Sequence, residues 1–465
     1  MRPERRPERR PDRGPDRRPT DQRRLLAALL SGVIPGSGQA VNGRARAAAI
    51  FAVPSLILLL IAGLIVLTSS PTMLLAHAIV PDTLRRLLVL DVVVLVWRLA
   101  AVVHAFSDRR YPRRPGMLGA VGLTLVVILV ALPHGLAGLY GSSAFTTFEK
   151  VFGGAEGTAV GGPNDDPGST AGPTPQTGER VNVLLMGIDS GPKRTQALTD
   201  TLIVVSLDPV GKTVTMLSIP RDLVQVPLGD GTTFAPKINS LLGWANRHKA
   251  DFPQGGTRAL EDAIGALLGI PIHYFAKVDL GGFVDMVDAV GGVDIKVAKR
   301  LSDPNYGGFG VGPGWSIEPG LHHLRGAEAL AYARIRRSTG ESDFTRAARQ
   351  QQVLVALRDQ TVKKGLLGSL PALLRAVGDT VRTDLPAARL PEFAAFAEEI
   401  GSDRTTQAVL TSPMVKSGGA NNPYGSVVIP VPSRIRQMVA VIFSLPGTPA
   451  GPWPPKPTPR PSAAP

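Results

Sequence analysis

Three apolar runs near the N-terminus, residues 48–67, 87–106 and 117–140, constrain this chain more than any other feature. About 20 apolar residues cross the hydrocarbon core as a helix, and inside lipid a backbone has almost no other way to satisfy its polar groups. The first run is nearly pure apolar, the second carries Asp91, Arg98 and His104, and the third carries Pro133 and His134. Asp91 and Arg98 share a helix face and are placed to pair inside the bundle. One such pair makes no relay, so a structural role is expected. The preceding stretch 25–47, LLAALLSGVIPGSGQAVNGRARA, is too short and too broken by Gly and Pro to span. It is expected to lie in the interface or to form a re-entrant hairpin, without chemistry of its own.

Basic residues set the orientation. Residues 1–24 are a degenerate Arg-Pro repeat, and SDRRYPRRPG between the second and third runs is Arg-rich again, which places both in the cytoplasm. Arg85 and Arg86 in the first outer loop run against this pattern. Three spans then put everything after residue 140 outside the cell. No basic n-region leads directly into an apolar stretch with a cleavage site, so no cleavable signal peptide is expected. The net charge of +14, from 51 basic and 37 acidic side chains, would suggest nucleic acid in a soluble protein. Here ten basic less five acidic side chains put five of those charges in the 1–24 tail, read as disordered, solvated and topology-setting. The absence of Cys excludes disulfides and thiolate metal sites.

The rest divides into a membrane region at 25–140, a flexible linker at 141–180, a globular domain at 181–445 and a Pro-rich, extended or disordered tail at 446–465. The domain opens with three short β-branched runs, 181–188, 201–207 and 213–219, each bounded by Gly, Asp or Pro. Helical spacing at 257–268 and 283–290 alternates with strand-like runs at 273–278 and 293–297. This alternation favours an α/β sheet covered by helices on both faces. Residues 301–320 read as a Gly- and Pro-rich loop, 324–333 as a helix, and 332–336 as a piece that, if extended, points Arg334 and Arg336 the same way. Glu341-Ser342-Asp343 opens a long helix, with Ser342 or Asp343 as its cap. Asp343, Arg346 and Gln350 then share one stripe with Arg349 beside it, and Val353, Leu354 and Leu357 are expected on the opposite side.

Charged residues gather where these elements begin and end. The set is Asp189, Asp200, Arg221, Asp222, Lys237, Arg334, Arg336, Asp343, Arg346 and Gln350. Arg forks match phosphate oxygens two at a time. Asp189 and Asp200 are hard carboxylates of the kind that hold Mg²⁺ together with substrate phosphate oxygens and water. Phosphoryl transfer also needs a base, and Asp343, at a helix start beside the arginines, is the candidate. Taken singly, each Asp is more often a turn or cap residue and each Arg a surface charge; Asp222 is expected to be structural. Their number and placement at element ends argue for a site.

The motifs LLMGIDS, TDTLIVVSLDP, VTMLSIPRD, PKIN, FVDMVDAVGGVDI, GLHHLRGAEALAYARIR and SDFTRAARQQ, in this order, resemble the LytR-CpsA-Psr proteins of Gram-positive cell envelopes. The likeness covers about 181–352 strongly. It implies a central mixed sheet flanked by helices, with an apolar pocket for a lipid tail, and a Mg²⁺- or Mn²⁺-dependent phosphotransferase that moves a glycopolymer from a polyprenyl-diphosphate carrier to a peptidoglycan hydroxyl. By motif, Asp189 and Asp200 match the metal-binding acids. Arg221, Arg334 and Arg336 match the diphosphate-binding arginines, and Lys237 a basic position of the PKIN turn. Asp343, Arg346 and Gln350 match the polar stripe beside the reacting phosphate. The expected partners are a polyprenyl-diphosphate-linked glycan, peptidoglycan and membrane lipid. One position departs: the family usually has Arg two residues before the second acid, where this chain has Leu198, and Arg194 is a nearby substitute. Two other functions stay open at this level, a pyrophosphatase using water as acceptor and a non-enzymatic glycolipid binder or regulator. No helix-turn-helix or basic recognition helix is present in the outer domain, so no nucleic-acid partner is expected.

Overall fold

Each apolar run lies inside a longer helix. In a computed structural model of the chain, residues 21–69, 71–78, 80–109, 114–152, 172–189, 198–364, 376, 378, 380–419 and 421–444 are described. They belong to two units, residues 1–70 with 82–143, and residues 71–81 with 144–465. The 446–465 tail, most of the 1–24 tail and Arg194 lie outside the described residues.

In the first unit α1 (Asp21–Val33) and α2 (Ser37–Val41) form a helical hairpin. Its turn needs Gly36, whose φ is +102° and whose added Cβ would meet the Ala48 carbonyl oxygen at 2.5 Å. The first span is α3 (Ala45–Thr68). After α4 (Pro71–Ala78), which belongs to the second unit, come the other two spans, α5 (Pro81–Phe106) and α6 (Met117–Phe152). All three are long and apolar enough to cross a membrane. The 25–47 stretch is docked on α5: Gln39 Nε2 donates to the Ala101 carbonyl at 2.8 Å and Asn42 Nδ2 to that of Ala105 at 2.9 Å.

The expected Asp91–Arg98 pair is bridged by a third residue. Seven residues of helix rise about 10 Å, more than these side chains span directly. His134 of α6 fills the gap, its Nδ1 2.7 Å from Asp91 Oδ1 and its Nε2 3.1 Å from Arg98 Nη1. A guanidinium only donates, so Nε2 accepts and the ring proton sits on Nδ1. Arg98 Nε also donates to the Gly32 carbonyl at 3.2 Å, tying the hairpin in.

In the second unit α6 continues as helix through Phe152, into the stretch expected to be linker. The strands β1 (Val181–Asp189), β2 (Leu198–Asp208) and β3 (Thr213–Ser218) form an antiparallel meander. A small ribbon, β4 (Val226–Pro227) with β5 (Thr233–Phe234), leads to α7 (Leu241–Arg247) and α8 (Gly255–Leu268). Then come β6 (Tyr274–Asp279), α9 (Leu280–Ala289) and β7 (Val293–Val297). The expected 301–320 loop contains a short hairpin, β8 (Leu301–Asp303) with β9 (Trp315–Ile317). β10 (Gly320–Leu324) pairs with β7 and claims Leu324 from the expected helix, which begins later as α10 (Gly326–Arg334). After the long α11 (Asp343–Lys364) follow β11 (Val381–Thr383), α12 (Leu390–Glu399) and β12 (Thr405–Val409). A last ribbon, β13 (Val415–Ser417) with β14 (Val428–Pro430), precedes α13 (Pro432–Ile442).

The main sheet is mixed, in the order β11-β6-β1-β2-β3-β12, with β6–β1 and β3–β12 parallel. Alternation divides its two faces. Leu184, Met186, Ile188, Leu202 and Val204 pack with α7, α8 and α13 in one core. A second core joins α9, α10 and α11 to the β7–β10 ribbon through Val287, Ile295, Tyr332 and Val353. The expected mixed sheet flanked by helices is what the chain forms.

Candidate functional site

The site lies between the other face of the sheet and the α9–α10–α11 layer. A pocket of about 390 Å³ opens there. One end is apolar, walled by Leu185, Ile203, Phe283, Met286, Val353 and Leu354. The other end carries Asp189, Asp200, Arg221, Arg334, Arg336, Arg346 and Gln350. The structure thus brings together seven of the residues singled out in the sequence.

Backbone irregularities aim several of them. The β1–β2 register shifts between Gly187 and Ile188, a bulge. Across it Asp200 and Thr201, though consecutive, both line the pocket. Asp200 is therefore inside β2 at the bulge, not beyond the strand end. Gly187 is required there, because a Cβ would come within 2.9 Å of the Thr201 Cβ. Arg334 is the last residue of α10 and Arg336 follows one residue after the turn out of it. They share the pocket because the chain leaves a helix there, not through strand alternation.

On α11, Val353 and Leu354 lie on the same face as Asp343, Arg346 and Gln350, correcting the expectation that they oppose it. At 100° per residue all five fall within about 100° of arc. From Arg346 to Leu354 the helix presents first polar and then apolar side chains to one pocket, while Asp343, a turn before them, is not part of its wall. Ser342 caps it, accepting from Thr345 N at 3.2 Å.

Charges at the polar end are paired but not balanced. Arg221 Nη1 donates to Asp200 Oδ1 at 2.7 Å, Arg334 Nη2 to Asp189 Oδ2 at 3.1 Å, and Arg346 Nη2 lies 2.9 Å from Asp343 Oδ1. Burial lowers the Arg346 pKa, and repulsion from Arg221 adds to it. The Nε groups of Arg221 and Arg346 are buried without hydrogen-bond partners among the described residues, Arg221 Nε lying 3.8 Å from Asp222 Oδ2, beyond hydrogen-bond reach. Buried donors without acceptors, beside mutually repelling cations, make a place for an anion.

Asp222 and Asp343 form a hydrogen-bonded carboxyl pair. Burial and the bond to Asp222 raise Asp343 above the usual carboxylate range. Burial also opposes the charge on Asp222, but the bonds to Asp343 and to Lys237 outweigh it and hold Asp222 low. Lys237 Nζ donates to Asp222 Oδ1 at 2.6 Å and is not part of the pocket wall, so it faces an acid where a phosphate was expected. Asp222, expected to be merely structural, stands next to the candidate base.

Asp189 and Asp200 reach the pocket from adjacent strands beside the arginines. Two hard carboxylates with phosphate oxygens and water complete a Mg²⁺ donor set, so the residues fit that ion. Among the described residues no three His, Cys, Asp or Glu side chains form an all-protein cage. Leu198 lines the pocket opposite Asp189. Lys277 also borders it, but strand alternation turns its side chain to the opposite face, where Nζ sits 5.8 Å from the centroid of the Phe275 ring in the other core.

Residues 158–426 match the LytR_cpsA_psr family. The polyisoprenyl-teichoic acid–peptidoglycan teichoic acid transferase TagU of Halalkalibacterium halodurans is 34% identical over 205 residues, 44% of this chain and 60% of its own. TagV of Bacillus subtilis, of the same transferase name, is 33% identical over 247 residues, 52% of this chain and 59% of its own. The chain thus spans about 60% of the length of these curated relatives. A crystal structure of B. subtilis TagV aligns with 57% of this chain and 97% of its own, at 28% identity and a TM-score of 0.46.

Proposed function

The chain belongs to the LytR_cpsA_psr family, and from that premise we propose that it is a membrane-anchored phosphotransferase. It moves a glycopolymer from a polyprenyl-diphosphate carrier to a peptidoglycan hydroxyl. The observation that carries this reading is the pair of orphaned, buried guanidinium donors on Arg221 and Arg346, at the cationic end of a pocket whose other end is apolar. A lipid diphosphate has those two parts in that order. The names of the relatives, polyisoprenyl-teichoic acid–peptidoglycan teichoic acid transferases, supply the donor and acceptor classes.

In this reading Arg221, Arg334, Arg336 and Arg346 grip the diphosphate, and Gln350 adds a neutral donor. The acceptor hydroxyl attacks the sugar-proximal phosphorus while Asp343 takes its proton. The bond between that phosphorus and the bridging oxygen breaks, and polyprenyl phosphate leaves. Lys237 and Asp222 set the charge around Asp343. Mg²⁺ or Mn²⁺, held by Asp189 and Asp200, would neutralise charge on the diphosphate. The Arg-rich stretches 1–24 and 107–116 support a cytoplasmic N-terminus and an outer catalytic domain.

The test uses the full chain in detergent with a polyprenyl-diphosphate saccharide and peptidoglycan fragments, products being followed by mass spectrometry. Glycan transfer with polyprenyl-phosphate release is expected, lost on chelation and restored by Mg²⁺ or Mn²⁺. Asp343→Asn should cost about 10²–10⁴-fold, the usual contribution of a general base. Polyprenyl phosphate released without a glycan–peptidoglycan product would make the protein a hydrolase.

A further inference from the structure

The last carbonyl groups of a helix have no partner within it. At the C-terminal end of α10 one buried side chain from α11 serves two carbonyls at once. Arg349 donates Nε to the Tyr332 carbonyl at 2.8 Å and Nη2 to the Ile335 carbonyl. A cation there also suits the helix dipole. The remaining arm, Nη1, meets Glu341, and the guanidinium sits over the Tyr332 ring, 5.6 Å from its centroid. The Glu341 side chain is itself 1% exposed and has Lys299 Nζ at 2.9 Å and the Thr345 hydroxyl at 2.7 Å. Burial opposes its charge, but these three partners outweigh that and hold it ionised.

These contacts pin the chain at Tyr332, Ile335 and Glu341. Between the pins it carries Arg334 and Arg336, both on the pocket wall, whereas Arg349 and Glu341 are not. Arg336 is exposed, so little else packs against it. We propose that Arg349 and Glu341 are positioning residues: a buried ionic brace that holds Arg334 and Arg336 in the geometry that clamps a diphosphate. A preset clamp binds without the ordering cost of a mobile loop. The inference rests on the phosphotransferase reading and adds residues that touch no substrate in it.

The experiment measures the affinity of the full chain in detergent for a polyprenyl diphosphate, with transfer kinetics and thermal unfolding alongside. Glu341→Gln and Arg349→Lys each keep the shape and remove one part of the brace. Each should weaken binding about tenfold, within the usual range for coupled groups, and raise KM more than it lowers kcat. The deciding arm is a cycle with the double variant Arg334→Ala/Arg336→Ala. If the brace acts through the clamp, Glu341→Gln should change affinity less than about twofold once both arginines are gone. A purely structural brace gives the same loss in both backgrounds and overturns the proposal, as does wild-type affinity in folded Glu341→Gln. Should Glu341→Gln fail to fold, Thr345→Ala, which removes one hydrogen bond to Glu341, takes its place in the cycle. A wild-type chain that does not bind polyprenyl diphosphate removes the phosphotransferase reading itself, a result separable from a failed cycle.

Discussion

Asp343 gains its basicity from its surroundings. Burial and Asp222 raise its pKa, while Arg346 and Arg221 pull it back. A base works only when unprotonated, so activity is lost as pH falls through that raised pKa. Asp222→Asn removes a like charge and leaves Lys237 without its acid. It should move the acid limb of kcat/KM to lower pH; an unmoved limb would show that Asp222 does not couple to the base. The same residues show what a sequence reveals at this scale. Asp189, Asp200, Arg221, Arg334, Arg336, Arg346 and Gln350 stand out because charges beside apolar runs are conspicuous. Which partner each finds is not conspicuous. Lys237 looks like a phosphate ligand from its neighbourhood and Arg349 lies beside the polar stripe, yet one neutralises Asp222 and the other caps α10. In the run Arg349–Gln352 four polar neighbours go four ways. Arg349 braces a loop, Gln350 faces the pocket, Gln351 ties α11 to Ser218 and Ala408 of the sheet edge, and Gln352 meets Tyr332. Helical geometry places them, but only the packed neighbours assign the tasks.

Elements were readable wherever periodicity ran for several residues. The apolar strands and α8, α9 and α11 fall close to their expected places. The β8–β9 hairpin was hidden because three-residue strands in a Gly- and Pro-rich stretch carry no period, and the β1–β2 bulge because a bulge exists only in pairing. Two predictions belong here. Gly326 starts α10 where a Cβ would lie 2.2 Å from the Val284 carbonyl oxygen of α9. Gly326→Ala should force the two helices apart and cost about 1–3 kcal/mol, read as a lower urea midpoint at constant m. Glu261 on α8 is 1% exposed, and neither of its carboxylate oxygens has a hydrogen-bond partner among the described residues. Burial, with Asp384 nearby, pushes it up to about 9. An acid whose folded pKa is raised contributes stability below its unfolded value, and that contribution is lost as pH climbs through the folded one. Stability should therefore fall between about pH 4.5 and 9 by up to about 1.4 kcal/mol per unit. Glu261→Gln should flatten the slope and raise Tm at pH 8; an unchanged profile would mean the carboxyl finds solvent or a cation on ionising.

At the scale of the whole molecule the proposed reaction imposes a topology. The acceptor wall lies outside the membrane, so the domain must too. The Arg-rich segments argue for this by charge alone. Within the second unit α4 packs against α12, a contact that is the same whichever side of the membrane the unit occupies. Because the chain contains no Cys, a single introduced thiol reports its own location without background. Ala250→Cys, exposed in the domain, should react with a membrane-impermeant maleimide on intact cells. Gln22→Cys, exposed at the start of α1, should react only after lysis. The reverse pattern would place the pocket in the cytoplasm, away from any peptidoglycan hydroxyl, and the same arginine cleft would then have to serve a different phosphate ester.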